Sequence, residues 1–199
     1  MQRMTCKNAA AGRGGGANIK LKLNAARVLL AVAGLLASAG VTAAPTEYQV
    51  KAVFLFNFSR FVEWPAAAFE SADAPFVVGV FGHDPFGSDL DEVVKGKSVN
   101  GRPLVVRRLR RAADGAGCQI LFIHQSEQRH LSEVLSALER HSTLTVSDIP
   151  GAAQRGVMIR LVTEGGRVRM RVNVESARAA ALVISSNLLR AAEIVVGGE

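Results

Sequence analysis

The stretch Phe76-Val77-Val78-Gly79-Val80-Phe81-Gly82-His83-Asp84-Pro85-Phe86-Gly87 decides the fold. Its first six residues are almost continuously apolar, the pattern of a strand covered on both faces. The run breaks at a turn rich in helix-start residues, and a short helix through Val94 follows. Further on, Asn100-Gly101 and Pro103 mark a turn into a strand over Leu104–Leu109, and Cys118–Ile123 is the next buried strand. Ser126–Arg140 sets Leu131, Val134, Leu135 and Leu138 on one helical face, with Ser126 as its cap. A fourth strand over Thr143–Val146 ends at Ser147-Asp148. Alternating strands and helices predict a largely parallel sheet with helices on both faces.

Outward from this centre the pattern changes. Val157–Val162 and Arg167–Val172 flank Thr163-Glu164-Gly165-Gly166, and the second run alternates arginine with apolar residues. Gly-Gly between such runs predicts an antiparallel hairpin whose second strand has one wet face. A final helix is expected from about Glu175 to Ala192, burying Ala177, Ala181, Ile184, Leu188 and Ala191. At the other end, Thr46–Val62 carries Val50, Val53, Phe54, Phe58 and Phe61 at helical spacing, with Leu55 and Phe56 on a second face, and Trp64-Pro65 closes it. The fold class is therefore α/β: a three-layer domain with a mostly parallel sheet, helices on both faces and an antiparallel C-terminal hairpin.

Residues 1–44 have the layout of a cleavable signal peptide. Arg3, Lys7, Arg13, Lys20, Lys22 and Arg27 precede the apolar run Val28–Ser38, and small residues follow to Ala44. The run is shorter than the roughly 20 residues that a membrane span needs. The leader holds six of the 24 Lys and Arg and none of the 17 acids, leaving 18 basic against 17 acidic residues in the domain at 45–199. A nearly neutral exported domain gives little reason to expect nucleic acid. It keeps one cysteine, Cys118, so it forms no disulfide within itself, and the thiol heads an apolar run as a small buried hydrophobe would.

The search for chemistry yields sites for contact more than for catalysis. Gly96-Lys97-Ser98 resembles the tail of a phosphate loop, but Asp91 stands where the first glycine belongs and no helix follows. The histidines His83, His124, His130 and His141 lack metal-ligand spacing and are expected as solvated loop residues. His83-Asp84, His124, Ser126 and Glu127, and Ser147-Asp148 fall just past carboxyl ends of strands, where open α/β sheets bind ligands, yet no nucleophile elbow accompanies them. Two basic groups remain as candidate partner surfaces: Arg107, Arg108, Arg110 and Arg111, and the row Arg167, Arg169 and Arg171. The expectation is a non-enzyme with no cofactor and no metal.

The sequence resembles the YfiR family of periplasmic proteins from Glu47 to about Val195. The matching stretches are Glu47–Phe58, Phe61-Val62-Glu63-Trp64-Pro65, Gly82–Gly87, Gly101-Arg102-Pro103-Leu104, Cys118–Ile123, Leu144–Asp148 and Ile184–Arg190. The resemblance implies a homodimeric periplasmic α/β protein without known catalytic residues. It also implies a partner: an inner-membrane sensor protein, a diguanylate cyclase, whose periplasmic sensor region is bound and repressed, lowering cyclic di-GMP and biofilm formation. The paired cysteines of the best-understood member have no counterpart here, where Cys118 stands alone. The alternative reading is a periplasmic small-molecule module with its pocket at His83–Gly87 and His124–Glu127.

Overall fold

The computed structural model describes residues 44–196, so the predicted leader lies, apart from Ala44, outside the described residues. Thr46 opens helix α1 (Glu47–Phe61). Its hydroxyl accepts from the Gln49 amide and the Gln49 side chain accepts from the Thr46 amide, a reciprocal capping box. The buried line of α1 is Lys51, Ala52, Leu55, Phe58 and Ser59. This shifts the expected stripe: Val53 and Phe61 are exposed, because Lys51 is held inside by ion pairs and Ser59 Oγ donates to Phe56 O. The helix ends at Phe61, before Trp64-Pro65, where Val62 turns extended and begins the two-residue strand β1 (Val62–Glu63).

Nine further strands follow among the described residues. The main sheet runs β10-β8-β7-β6-β5-β2-β4-β3, built from β2 (Phe76–Phe81), β3 (Ser98–Val99), β4 (Arg102–Leu109), β5 (Ile120–Ile123), β6 (Leu144–Ser147), β7 (Ile159–Glu164), β8 (Arg167–Asn173) and β10 (Glu193–Val195). β4, β2, β5, β6 and β7 are mutually parallel. β8 returns antiparallel to β7 across the expected Gly165-Gly166 turn, where both glycines have positive φ. The order β4-β2-β5-β6-β7 steps to one side of β2 and then back to the other, so the switch point lies between β2 and β5.

The apolar runs are continuous because each strand feeds two cores. Phe76, Val78 and Val80 of β2, with Ile120 and Phe122 of β5, join α1 and helix α2 (Ser88–Val94) in the larger core. Leu121 and Ile123 face the other way, into a smaller core closed by helix α3 (Leu131–Leu138). Gly79 faces that second side, where an added Cβ would lie 2.8 Å from Cys118 Sγ and 3.0 Å from Leu121 Cδ1. The helix expected from Ser126 begins later: a 3-10 turn (Gln125–Glu127) comes first, with His124 rather than Ser126 accepting at its start, and α3 begins at Leu131.

The long final helix is not formed. Helix α4 (Val174–Ala179), capped by the Asn173 side chain, stops as Ala181 adopts φ +58. Leu182 is buried, strand β9 (Val183–Ile184) pairs antiparallel with β1, and Ser185 caps a new helix, α5 (Ser186–Arg190). β10 then lies parallel along β8. Two β-branched residues that find strand partners outweigh the helical spacing around them.

Candidate functional site

Past the carboxyl ends of β2, β5 and β6, the switch point is occupied by the first turns of α1. Tyr48 packs edge-on against Phe86 at 5.6 Å and lies 6.4 Å from the His124 ring, while its hydroxyl donates to Asp148 Oδ2 at 2.9 Å. One turn on, Lys51 Nζ sits 3.2 Å from the same oxygen and 2.6 Å from Glu47 Oε1, 4.5 Å from the Tyr48 ring centre. Lys51 is 2% exposed. A buried ammonium is tolerable only with such pairing. Burial, then the bond to Asp148, pushes the Tyr48 hydroxyl well above its usual range, so it stays a neutral donor. The Lys51 bond holds Glu47 below the usual carboxylate range.

His124 extends this polar knot towards β2. Its Nδ1 accepts from the Ser126 amide at 3.1 Å, and its ring lies 5.4 Å from that of His83. Ser126 Oγ in turn accepts from the His83 amide and donates to Glu127 Oε1. Gly82, at φ +91, permits that approach, since a Cβ there would come within 2.7 Å of Ser126 Oγ. His124 is buried, contrary to the expectation of a solvated loop histidine, because Tyr48 covers it. Burial is the main cause that lowers its pKa, with Asp148 opposing and His83 and Lys51 adding. Asp148 Oδ1 and Arg160 Nε are buried without a hydrogen-bond partner among the described residues.

The structure thus brings together His83, His124, Ser126 and Glu127, and separates Asp84 from them. Asp84 Oδ1 accepts from the Phe86 amide, and Oδ2 from Arg108 Nε at 2.9 Å. Arg108 also reaches Gly87 O and Asp91, whose carboxyl it holds below the usual range. Arg111 pairs with Asp114. Arg107 and Arg110 are exposed and have no ion-pair partner among the described residues. In the second row Arg167 and Arg169 are exposed, but Arg171 is only half so. β10 pairs Glu193 directly with it, and its guanidinium bridges Glu193 and Glu164 at 3.1 Å each.

Tyr48 and Lys51 were not legible as site residues, since both sit in a helix read for its apolar spacing. The signal was there in the Glu47–Lys51 spacing of one turn, which favours an ion pair. The turns at His83–Gly87 and His124–Glu127 touch one another, and cavities found elsewhere among the described residues have other walls. A cavity of about 600 Å³ is lined by Arg60, Glu63, Trp64, Phe69, Asn100 and Arg102, among others. Among the described residues there is no group of three or more His, Cys, Asp or Glu placed to hold a metal ion.

A comparison with protein families matches residues 48–193 to the one described as YfiR/HmsC-like. The chain belongs to the YfiR/HmsC-like family. A search of curated proteins found no match. Three stretches that carry the family resemblance meet at the polar knot: Tyr48 and Lys51 come from the first, His83 and Phe86 from the turn after β2, and Asp148 from the end of β6. A fourth supplies Ser185, the cap that starts α5. The YfiR/HmsC-like match spans both cores as well as the knot.

Proposed function

We propose that this chain is an exported periplasmic regulator that works as a homodimer, residues 1–44 being its leader. It binds the periplasmic sensor region of an inner-membrane signalling enzyme, a diguanylate cyclase, and holds it inactive. The observation that carries this reading is the YfiR/HmsC-like match over residues 48–193. The switch point supports it. The crevice where α/β sheets receive ligands is filled by this chain's own Tyr48 and Lys51, which favours a surface that contacts a protein. Binding shifts the enzyme between active and inactive states by its difference in affinity for the two. The test is co-expression with an inner-membrane diguanylate cyclase that carries a periplasmic sensor region, taken from the same organism, measuring cyclic di-GMP with and without the leader. Exported chain that is present yet leaves cyclic di-GMP unchanged overturns the reading.

A small-molecule module is the second reading, and the cavity beside Trp64 is the observation that favours it. Its pocket then lies between the end of α1, β1 and β3, and not at the strand-end turns. Trp64 is the single tryptophan, so a ligand entering the cavity shifts its emission. Emission that stays constant across a metabolite panel counts against this reading.

A further inference from the structure

Between the outer faces of α1 and α2 lies an open apolar groove of about 410 Å³, lined by Val50, Val53 and Val93 with Pro45 beside them. Val53 is 46% exposed in the middle of a helix whose other side is fully packed. A β-branched residue there has no helix-propensity advantage, and its exposure with its neighbours makes a contiguous apolar strip of the kind that marks contact sites. The rim is acidic. Asp89 has no ion-pair partner among the described residues, and Glu92 meets only the exposed Lys95 at 3.3 Å. The acids nearest in sequence, Asp84 and Asp91, are instead held by Arg108. The groove therefore offers an apolar floor beside one carboxylate free among the described residues, Asp89, and one held only by an exposed lysine, Glu92.

We infer that this groove is the surface that seats the membrane partner, through an apolar segment of that partner carrying basic side chains that meet Asp89 and Glu92. The assignment rests on the regulator reading above and names its contact face. It sets the face apart from the arginines, since the exposed pair Arg167 and Arg169 would require an acidic partner instead.

The test uses the full chain co-expressed with that same inner-membrane diguanylate cyclase. Three variants are compared with the parent: Val53→Lys, Asp89→Lys with Glu92→Lys, and Arg167→Glu with Arg169→Glu. A photo-crosslinking residue placed at 53 or 167 reports the neighbour directly, and thermal melts check that each variant folds. The expected result is that the first two lose co-purification by about tenfold or more, roughly 1.4 kcal/mol of binding. Cyclic di-GMP then rises to the level without the regulator, the arginine variant behaves as the parent, and only residue 53 crosslinks to the membrane protein. Groove variants that bind and repress normally while the arginine variant fails overturn the groove and leave the regulator reading standing. Crosslinks from residue 53 only to a second copy, or to the chain's own residues before Pro45, also overturn it. A parent chain that neither binds nor represses overturns the reading and the groove with it.

Discussion

Lys51 Nζ lies 3.2 Å from Asp148 Oδ2, joining the second turn of α1 to the end of β6 across 97 residues of sequence. The pair is nearly closed to solvent, with side-chain exposures of 2% and 6%. Removing one member of a buried pair strands the other, at a cost of about 3–5 kcal/mol. Lys51→Met should lower the unfolding free energy by an amount in that range in urea titrations. Asp148→Asn should cost less, because its amide oxygen still accepts from Tyr48 and Lys51. The double variant should fall short of the sum, and strict additivity would mean that the two groups do not depend on each other.

The knot also makes the fold sensitive to acid. His124 titrates below its ordinary 6.5 in the fold, so on acidification the unfolded chain takes up this proton first. Stability from the neutral ring is complete above about 6.5 and falls as pH drops through the lowered value. Asp91 acts in the same direction further down: Arg108 holds it below 3.8, and its contribution is lost as pH falls through the folded pKa. Melting temperatures between pH 7.5 and pH 5 should decline for the parent and decline less for His124→Gln, which keeps an acceptor for the Ser126 amide. Equal slopes would assign the dependence to other groups.

Gly79 is fixed by space alone, because its backbone is ordinary strand. An alanine methyl there meets Cys118 Sγ, Leu121 Cδ1 and Leu109 Cδ1 at 2.8–3.2 Å. Overpacking of this kind costs about 1–3 kcal/mol. Gly79→Ala should destabilise by that amount, and Cys118→Ala in the same chain should restore part of it. No recovery in the double variant would show that the leucines alone set the limit.

Arg108 ties the turn after β2 and helix α2 to strand β4. Its partners are two carboxylates and Gly87 O, but the guanidinium is 38% exposed, so solvent screens the contacts. Arg108→Ala is expected to cost about 1 kcal/mol or less. The difference from the parent should shrink as salt is raised. A salt-independent loss would point to packing of the arginine stem as the main contribution.

How far the sequence could be read depended on where each residue's partners lie. β2 and β5 were legible because their burial is written locally, in nearly unbroken apolar runs. The Gly165-Gly166 hairpin was legible because its turn needs positive φ. In the fold His83, His124 and Ser126 lie together at neighbouring strand ends, with Glu127 bonded to Ser126. Failures came where a distant segment decides the matter. Val183–Ile184 leave the helical pattern to pair with Val62–Glu63. Arg171 loses its wet face to Glu193. Lys51, polar in a row of apolar residues, is buried because Asp148 waits for it far along the chain.

Cys118 should be silent in the native protein. Burial raises its thiol pKa to about 11, so little thiolate exists at neutral pH. Labelling by a soluble maleimide should be slow in buffer and complete within the mixing time in denaturant. Rapid labelling of native protein would show that the seam beside β5 opens readily.

The tight fit of Cys118 against Gly79 also makes unfolding leave a trace. A molecule that opens beside an oxidant or electrophile can be capped on sulfur. A capped sulfur fits poorly back towards Gly79, where one added carbon would already lie 2.8 Å from it. Openings that end in capping are thereby recorded, and a population ages by its history of openings beside such reagents and not by elapsed time alone.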